Sequence, residues 1–240
     1  ADVVADTMHA GRVVIHGDGR DVLGQALQGG EVFVRGSVGN RGGIQMREYR
    51  ESKPYLIVGG RADDYFGEYM AGGVAMILGL GSLEKGLDTQ LVGDFTATGI
   101  VGGRIYVRGR VKETSIGLLP PRVDVVNYLN GLVDDGPPDV ETFGNILAKP
   151  LTPSVLKETL PPAAFNRIRR LFEGKYNRYP RVEFRHLSDE DLRLVGGELE
   201  RFFREFHLDG SLYEALLGSE FTVITPARQF EGVGEAYAEE

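Results

Sequence analysis

Short runs of apolar residues recur along the first half of the chain, and glycines bracket each run. Three of them follow a Gly-Gly doublet and share the same order of residue types, spanning Gly29–Gly36, Gly72–Gly79 and Gly102–Gly109. An imperfect copy spans Ala10–Gly17. Their β-branched and aromatic residues predict short strands. A pattern of this kind is an internal repeat, which constrains the architecture before any single residue does.

The distance between the glycines that close these runs gives the size of the repeated unit. It is 19 residues from Gly17 to Gly36 and 20 residues from Gly59 to Gly79. A unit of this length with one strand is shorter than the roughly 30 residues of a βαβ unit. It fits one coil of a parallel β-solenoid, whose stacked coils bury a common core. The sequence therefore predicts a mainly β fold with five visible coils of a parallel β-helix.

Glycines are predicted at the corners of these coils, where positive φ or close backbone contact leaves no room for a Cβ. The corner glycines are Gly24, Gly29, Gly30, Gly36, Gly67, Gly72, Gly73, Gly79, Gly102, Gly103 and Gly109. A phosphate-binding turn at Gly17–Val22 is a second interpretation, but such a turn needs a helix directly after it. A left-handed hexapeptide helix is a third, since early glycines lie six or seven residues apart.

Glycine and proline are distributed unevenly, which indicates two regions. Of the 34 glycines, 23 lie in residues 1–110, and ten of the 11 prolines lie after residue 110. We predict a β-helix domain at 1–115 and an α-rich C-terminal extension at 116–240 that packs on it. The chain begins at Ala1 with what resembles the tail of an earlier coil, so we expect upstream coils to be missing.

The second half has helical patterns separated by short extended segments. Helices are predicted at 123–132, 152–160, 161–172 and 211–217, with strands at 182–184 and 221–224. Ser188 is a favourable N-cap for a longer helix that reaches Phe206, because acidic residues fill its first turn. The apolar stripe of that helix either packs against the solenoid or docks a partner; it comprises Leu192, Val195, Leu199, Phe202, Phe203 and Phe206.

Composition narrows the possible functions. The chain has no cysteine, so it cannot hold a thiolate zinc site or a cysteine-ligated iron–sulfur cluster. Its net charge of −8 argues against nucleic acid, and no apolar run reaches the roughly 18 residues of a membrane span. The four histidines form no pair at helical spacing. We predict no catalytic, cofactor-binding or metal-binding residues, and a cytoplasmic protein.

The repeat resembles the GXGXG domain that ends the large subunit of glutamate synthase. The resemblance rests on Gly67–Gly73 leading into Met76–Gly79, and on Asp21–Gly24 with Gly29–Val34. In that family the domain is a right-handed β-helix bracing the glutaminase and the flavin-bearing synthase domains. The resemblance thus implies a right-handed coil without catalytic residues, with FMN and an iron–sulfur cluster only on partner modules.

From the resemblance we expect a non-catalytic scaffold subunit or domain of a glutamate-synthase-like amidotransferase/oxidoreductase. Its expected partners are glutaminase-type and FMN-binding synthase-type modules, and a homo-oligomer is left open. Charged and aromatic residues at inserted corners are the candidate partner contacts, since function concentrates on loops of a rigid scaffold. They are Arg47, Glu48, Tyr49, Arg50, Arg61, Asp63 and Asp64.

Two other functions stay open. The same domain occurs in one of the subunits of formylmethanofuran dehydrogenase, which implies a structural subunit of such a complex as an alternative. A β-helix hydrolase, either an esterase or a carbohydrate-active enzyme, would need a nucleophile and a base within reach. No serine lies in a Gly-x-Ser-x-Gly elbow, and the one visible carboxylate cluster is Asp63, Asp64 and Glu68.

Overall fold

The computed structural model of the protein describes residues 1–131, 140–172 and 179–227. Seven strands in these residues form one sheet, in the order β1-β2-β3-β4-β5-β7-β6. Strands β1 to β5 are mutually parallel, whereas β7 is antiparallel to both β5 and β6. The strands are β1 (Arg12–Ile15), β2 (Gly30–Val34), β3 (Pro54–Val58), β4 (Ala71–Ile77), β5 (Gly102–Arg108), β6 (Arg181–His186) and β7 (Glu220–Thr225).

Most of the helices follow the last parallel strand. Ser188 caps the longest of them, α6, by accepting the Asp191 amide, and the Asp191 side chain in turn accepts the Ser188 amide. This reciprocal pair is a capping box. The helices of the described residues are α1 (Leu80–Glu84), α2 (Arg122–Gly131), α3 (Val140–Leu147), α4 (Pro153–Thr159), α5 (Pro162–Phe172), α6 (Asp189–Glu205) and α7 (Gly210–Leu217).

Five segments of turns run beside the parallel strands, and together they form a layer that we name the turn layer. They span residues 2–7, 21–26, 40–45, 64–69 and 94–99. Each segment is hydrogen-bonded to the next through its backbone. The Val22 amide donates to Asn40, that of Arg41 to Asp64, and that of Tyr65 to Asp94, each over 2.8 Å.

The sheet is buried on both faces because successive side chains of a strand point to opposite sides. On one side, Val32, Leu56, Ala75 and Ile105 lie in register and pack against the turn layer. On the other side, the sheet packs against α6 and α7. That second core contains Phe33, Ile57, Met76 and Tyr106 from the strands, with Val195, Leu199, Phe202 and Leu216 from the helices. The sheet is thus the middle layer of three.

A separate small core lies among α2, α3, α4 and α5. Val125 and Leu129 of α2 contact apolar residues of the neighbouring helices there, and both are buried. Glu113 joins this part to the sheet region: its carboxylate accepts the Ser154 amide over 3.0 Å, and its carbonyl accepts the Tyr179 hydroxyl over 3.1 Å.

The predicted fold class, a mainly β right-handed parallel β-helix with an α-rich extension, is wrong. The described residues form one mixed seven-stranded sheet covered by helices. The regular spacing of the glycines correctly predicts that consecutive strands are parallel neighbours. It does not indicate what packs against the face of the sheet that is turned away from the turn layer. Phe33, Ile57 and Tyr106 on that face pack against helices. Each sequence repeat therefore contributes one strand to the sheet and one segment to the turn layer.

Most of the apolar stripe of α6 packs within the molecule, as the first of its two interpretations expected, whereas Leu192 is exposed. Val195, Leu199 and Phe202 are fully buried against the sheet. Strand β7 covers the open edge of β5, with Tyr106 opposite Val223. The boundary at residue 115 stays a prediction. Within the described ranges, no helix is both long and apolar enough to cross a membrane.

Candidate functional site

Alternate residues of every turn segment have a left-handed backbone. In all five segments the second, fourth and sixth residues have positive φ, from +47° to +72°. A side chain in this conformation costs roughly 1–2 kcal/mol per residue, so glycine is usually preferred there. Here four positions are glycine and eleven carry a side chain. They are Val3, Ala5, Thr7, Val22, Gly24, Ala26, Arg41, Gly43, Gln45, Tyr65, Gly67, Tyr69, Phe95, Ala97 and Gly99.

Several of these strained residues form a continuous stack on the solvent side of the turn layer. The Arg41 guanidinium lies 4.9 Å from the centre of the Tyr65 ring, and the rings of Tyr65 and Phe95 stack at 4.8 Å. Arg41 also donates to Glu68 over 2.9 Å, and the Glu68 side chain is only 8% exposed. We name this surface the outer turn face; it comprises Val22, Arg41, Tyr65, Glu68, Tyr69 and Phe95.

Tyr69 is an exposed aromatic residue of the outer turn face, with 46% of its surface accessible. Its ring lies directly over Gly99, where an added Cβ would come within 2.5 Å of Tyr69 Cδ1. Glycine at this position therefore makes room for the ring. Strained residues of this kind persist only when the surroundings hold them, and they concentrate at functional sites.

A column of aspartate and asparagine side chains runs along one border of the turn layer. Asp21 accepts the Asn40 amide, Asn40 accepts the Asp64 amide, and Asp64 accepts the Asp94 amide, over 2.8, 3.2 and 2.8 Å. Asp94 ends the column by accepting the Ser115 hydroxyl over 2.7 Å. We name this column the Asx ladder. It gives a structural reason for the aspartate that begins three of the turn segments, at Asp21, Asp64 and Asp94.

The predicted contact residues lie in two separate groups. Arg47, Glu48, Tyr49 and Arg50 belong to the loop before β3, at the end of one turn segment. The Arg50 guanidinium lies 5.2 Å from the Tyr49 ring centre, and Glu48 accepts the Gly73 amide over 3.1 Å. Glu48 also pairs with Lys53 at 3.2 Å. This group therefore lies where the turn layer leads into the strands that follow it.

The second group, Arg61, Asp63 and Asp64, lies at the beginning of the next turn segment. Arg61 pairs weakly with Asp63 at 3.5 Å, and both are exposed. Asp64 is a rung of the Asx ladder. The turn segment 64–69 therefore runs between the two groups, and the structure does not bring them together in one cluster.

The predicted corner glycines fall into two kinds of position. Gly24, Gly30, Gly67, Gly73, Gly79, Gly103 and Gly109 have positive φ. At Gly29, Gly36, Gly72 and Gly102, an added Cβ would come within 2.4 Å of an atom of another segment. In the doublets the first glycine allows close contact, as at Gly102, where the Cβ would lie 2.0 Å from the Ala71 carbonyl oxygen. The second glycine supplies the left-handed turn.

A network of charged and polar side chains around a buried carboxylate lies on the opposite side of the sheet, and it was not predicted from the sequence. Asp191 is fully buried and accepts Tyr106 at 2.6 Å, Arg104 at 3.0 Å and Arg185 at 2.5 Å. The Ser188 amide and hydroxyl complete its shell at 2.9 and 2.7 Å. Burial acts to raise the pKa of Asp191, but these hydrogen bonds outweigh it and hold the pKa far below its usual range.

The pKa of Tyr106, the tyrosine of this network, is shifted upward, in the opposite direction to that of Asp191. Burial, together with its hydrogen bond to the Asp191 carboxylate, raises the pKa of Tyr106 well above its ordinary value. Tyr106 therefore stays a proton donor, and Asp191 stays an acceptor. Every oxygen of Asp191 is occupied by protein groups, so the network fastens α6 to β5 and offers no open coordination position.

The four serines of residues 1–120, which are candidate nucleophiles for a hydrolase, all contact other groups of the protein. Ser37 accepts the Arg61 amide, Ser82 accepts Arg108 and donates to Gly79, and Ser115 donates to Asp94. Ser52 contacts the backbone carbonyl of His9 at 3.4 Å, not the ring. Among the described residues, no group of three or more histidine, aspartate or glutamate side chains could hold a metal ion.

Two open cavities adjoin the turn between α6 and α7. Their volumes are about 380 and 440 Å³, and both are lined by His207 and Leu208. The first also contacts Phe203 and Tyr213, and the second contacts Leu83 and Asp209. They lie on the helical side of the sheet, whereas the turn layer covers the other side, and they are therefore not part of the candidate site.

Part of the chain is similar to a protein of known sequence. An uncharacterized protein of Methanocaldococcus jannaschii is 41% identical over 107 residues, which are 44% of this chain and 39% of that protein. The chain thus spans well under half the length of this relative. No solved structure matches.

Residues 1–124 match the family model described as the GXGXG motif. The matched residues contain the left-handed positions of the turn layer, of which Gly24, Gly43, Gly67 and Gly99 are glycine. Because the match covers more than half of the 240 residues and contains all five turn segments, the protein belongs to the GXGXG motif family, the glutamate synthase GXGXG domain.

Proposed function

We propose that this chain is a non-catalytic scaffold subunit or domain of a glutamate-synthase-like amidotransferase/oxidoreductase. It would hold an ammonia-producing glutaminase-type module and an FMN-binding synthase-type module in register. The observation that carries the proposal is the outer turn face, whose Arg41, Tyr65 and Phe95 stack is presented by strained backbone. The family membership supports the association with glutamate synthase.

The outer turn face has the physical properties of a docking surface. Tyrosine, phenylalanine and arginine are enriched at protein interfaces, and tyrosine and arginine are frequent among the few residues that dominate the binding energy. The backbone bonds between turn segments and the Asx ladder fix these side chains before a partner arrives. A preorganised surface loses less conformational entropy on binding, which leaves more of the contact energy for affinity.

The predicted contact residues extend this surface on both sides. Arg47, Glu48, Tyr49 and Arg50 would contact one module, and the group around Arg61 and Asp63 would contact the other. Their separation by one turn segment suits a bridge between two modules better than a single binding pocket. FMN and an iron–sulfur cluster would belong to those partner modules. The cytoplasmic location stays a prediction.

The test is recovery of partners at native expression level. The protein is tagged at its own chromosomal locus, purified gently, and its companions are quantified by mass spectrometry. We expect a glutaminase-type and an FMN-binding synthase-type protein in fixed ratio. Recovery of neither class would overturn the proposal, and recovery of a molybdopterin protein would instead favour the formylmethanofuran-dehydrogenase-like alternative.

A matched pair of variants connects the partners to the outer turn face. Tyr69 and Leu87 are both large apolar residues with about half of their surface exposed, at 46% and 51%. Tyr69→Ala should lower partner recovery about tenfold, since a truncated hot spot costs more than 1 kcal/mol. Leu87→Ala should leave recovery unchanged. Equal recovery with both variants would place the partner elsewhere.

A further inference from the structure

Strand β6 is the last strand of the sheet in the part of the chain that the structure describes. Its inner edge pairs with β7 from Arg181 opposite Thr225 to His186 opposite Glu220. No described strand pairs with its outer edge. An open edge presents unpaired amides and carbonyls, which form a template for another strand.

The hydrogen bonds of β7 identify which residues of β6 face outward. Thr222 donates to Gly109, and Gly109 donates to Glu220, so the even-numbered residues of β7 bond toward β5. The odd-numbered residues of β7 must therefore bond to β6, where Val223 lies opposite Glu183. It follows that Val182, Phe184 and His186 direct their backbone groups to the open edge, where the His186 carbonyl already accepts the Arg185 guanidinium over 3.0 Å and can accept one amide more.

The side chains of β6 carry an alternating charge pattern. Arg181, Glu183 and Arg185 share one face of the strand, because side chains alternate along it. In the chain itself, Glu183 contacts Arg181 at 2.8 Å and Arg185 at 2.9 Å. Charged side chains at an exposed edge usually discourage strand pairing, but opposite charges placed directly across from each other stabilise it. When two copies of this strand run antiparallel, a row that contains both signs can place a glutamate of one copy opposite an arginine of the other.

We propose that β6 pairs antiparallel with β6 of a second copy of this chain, with Phe184 opposite Phe184 across the two-fold axis. Val182 then faces His186 of the second copy, and these outward-directed residues form hydrogen-bonded pairs. Glu183 lies opposite Arg185 of the second copy, in the closer non-bonded position. The two seven-stranded sheets become one sheet of fourteen strands.

Charge and backbone chemistry exclude the registers centred on the two preceding residues. Centring the pair on Glu183 sets Glu183 opposite Glu183 and Arg181 opposite Arg185, and like charges directly opposite are destabilising. Centring it on Val182 would need an amide from residue 180 to complete the pair. That residue is Pro180, which has no N–H to donate. Of these three registers, the one centred on Phe184 satisfies both conditions.

Sedimentation of the full chain tests whether the dimer exists. We expect a concentration-dependent dimer in wild type. Glu183→Arg places like charges opposite each other at two symmetric positions, so the dissociation constant should rise at least about tenfold. The matched control is Glu214→Arg, which makes the same charge change at an exposed position of α7 and should not alter the dissociation constant.

The absence of cysteine makes disulfide trapping a direct test of the register. In a hydrogen-bonded antiparallel pair the Cα atoms are about 5.5 Å apart, within the roughly 4.4–6.8 Å that a disulfide spans. Under mild oxidation Phe184→Cys should therefore form a covalent dimer, whereas Glu183→Cys, facing an arginine, should stay monomeric on a denaturing gel.

Three results would overturn the inference. The first is a monomer at every concentration with no cross-link from Phe184→Cys. The second is a cross-link from Glu183→Cys alone, which would identify the register centred on Glu183. The third is a strand of another protein recovered on the β6 edge. Circular dichroism of each variant guards against loss of folding. None of these results affects the proposed function, which concerns the outer turn face.

Discussion

The hydroxyl of Tyr106 donates a 2.6 Å hydrogen bond to the buried carboxylate of Asp191, which joins the middle of β5 to the first turn of α6. The two residues are 85 positions apart in the sequence. Arg104 approaches the same carboxylate from the strand, and Arg185 approaches it from β6. One carboxylate thus holds three elements of the fold together.

Removal of this carboxylate should destabilise the protein strongly. Asp191→Ala leaves Arg104 and Arg185 without their shared partner, and breaking a buried ion pair from one side costs about 3 kcal/mol or more. Urea unfolding followed by circular dichroism measures the loss. Asp189→Ala is the control, because Asp189 is exposed in the same first turn and its loss should cost less than about 1 kcal/mol. Equal losses would contradict the role of the network.

The same network predicts a pH dependence. The pKa of Asp191 is held below its unfolded value of about 3.9, so its stabilisation is fully present above that value. It is lost as the pH falls through the lowered pKa. The difference in unfolding free energy between wild type and Asp191→Asn should be constant from pH 7 to about pH 5 and shrink below about pH 4. A difference that stays constant to pH 3 would contradict the assignment.

The first glycine of the last doublet should not tolerate a side chain. A Cβ at Gly102 would lie 2.0 Å from the Ala71 carbonyl oxygen, so the strands would have to move apart. Gly102→Ala should cost about 1–3 kcal/mol of stability, the usual range for overpacking. Gly81→Ala is the matched control, since Gly81 lies in α1 with nothing within 4 Å of its Cβ position. That variant should be neutral or gain up to about 1 kcal/mol.

The Asx ladder predicts that acceptor geometry matters at Asp64 and that charge does not. Asn40 occupies an equivalent rung and accepts the next amide through its side-chain oxygen. Asp64→Asn should therefore be tolerated. Asp64→Ala leaves the Asp94 amide without its acceptor and should cost about 1 kcal/mol. Thermal unfolding of both variants decides the matter, and equal destabilisation by the two substitutions would show that the ladder works through charge.

Local elements were predictable because their signals lie within a few residues. Ser188 and the acidic turn after it indicate the beginning of α6, and the structure confirms Ser188 as its cap. The strand predicted at 221–224 is confirmed within β7. A last short helix through Leu217, with Ser211 as its cap, is also expected from the sequence; the helix is confirmed as α7, but its cap is Asp209, which accepts the Ser211 amide.

Relations between distant segments were not predictable in the same way. The β-helix prediction failed because the glycine period describes one face of each strand, whereas Phe33 and Ile57 point to the other face. Tyr106 lies opposite Val223 in the antiparallel pair of β5 and β7, and no pattern in the sequence near either residue indicates that these two strands pair. The same holds for the outer turn face, since Arg41 and Tyr65 meet only after two segments stack.

The rungs of the Asx ladder are separated by unequal lengths of chain. Asp21 and Asn40 are 19 residues apart, Asn40 and Asp64 are 24 apart, and Asp64 and Asp94 are 30 apart. Alignment of the segments therefore depends on rung-to-rung bonding and not on loop length. Such a scaffold can gain or lose residues between rungs, as in the loop after Met46 and in the α1 region, without shifting any strand. New binding surfaces could evolve, or be engineered, at those two insertions while the sheet keeps its register.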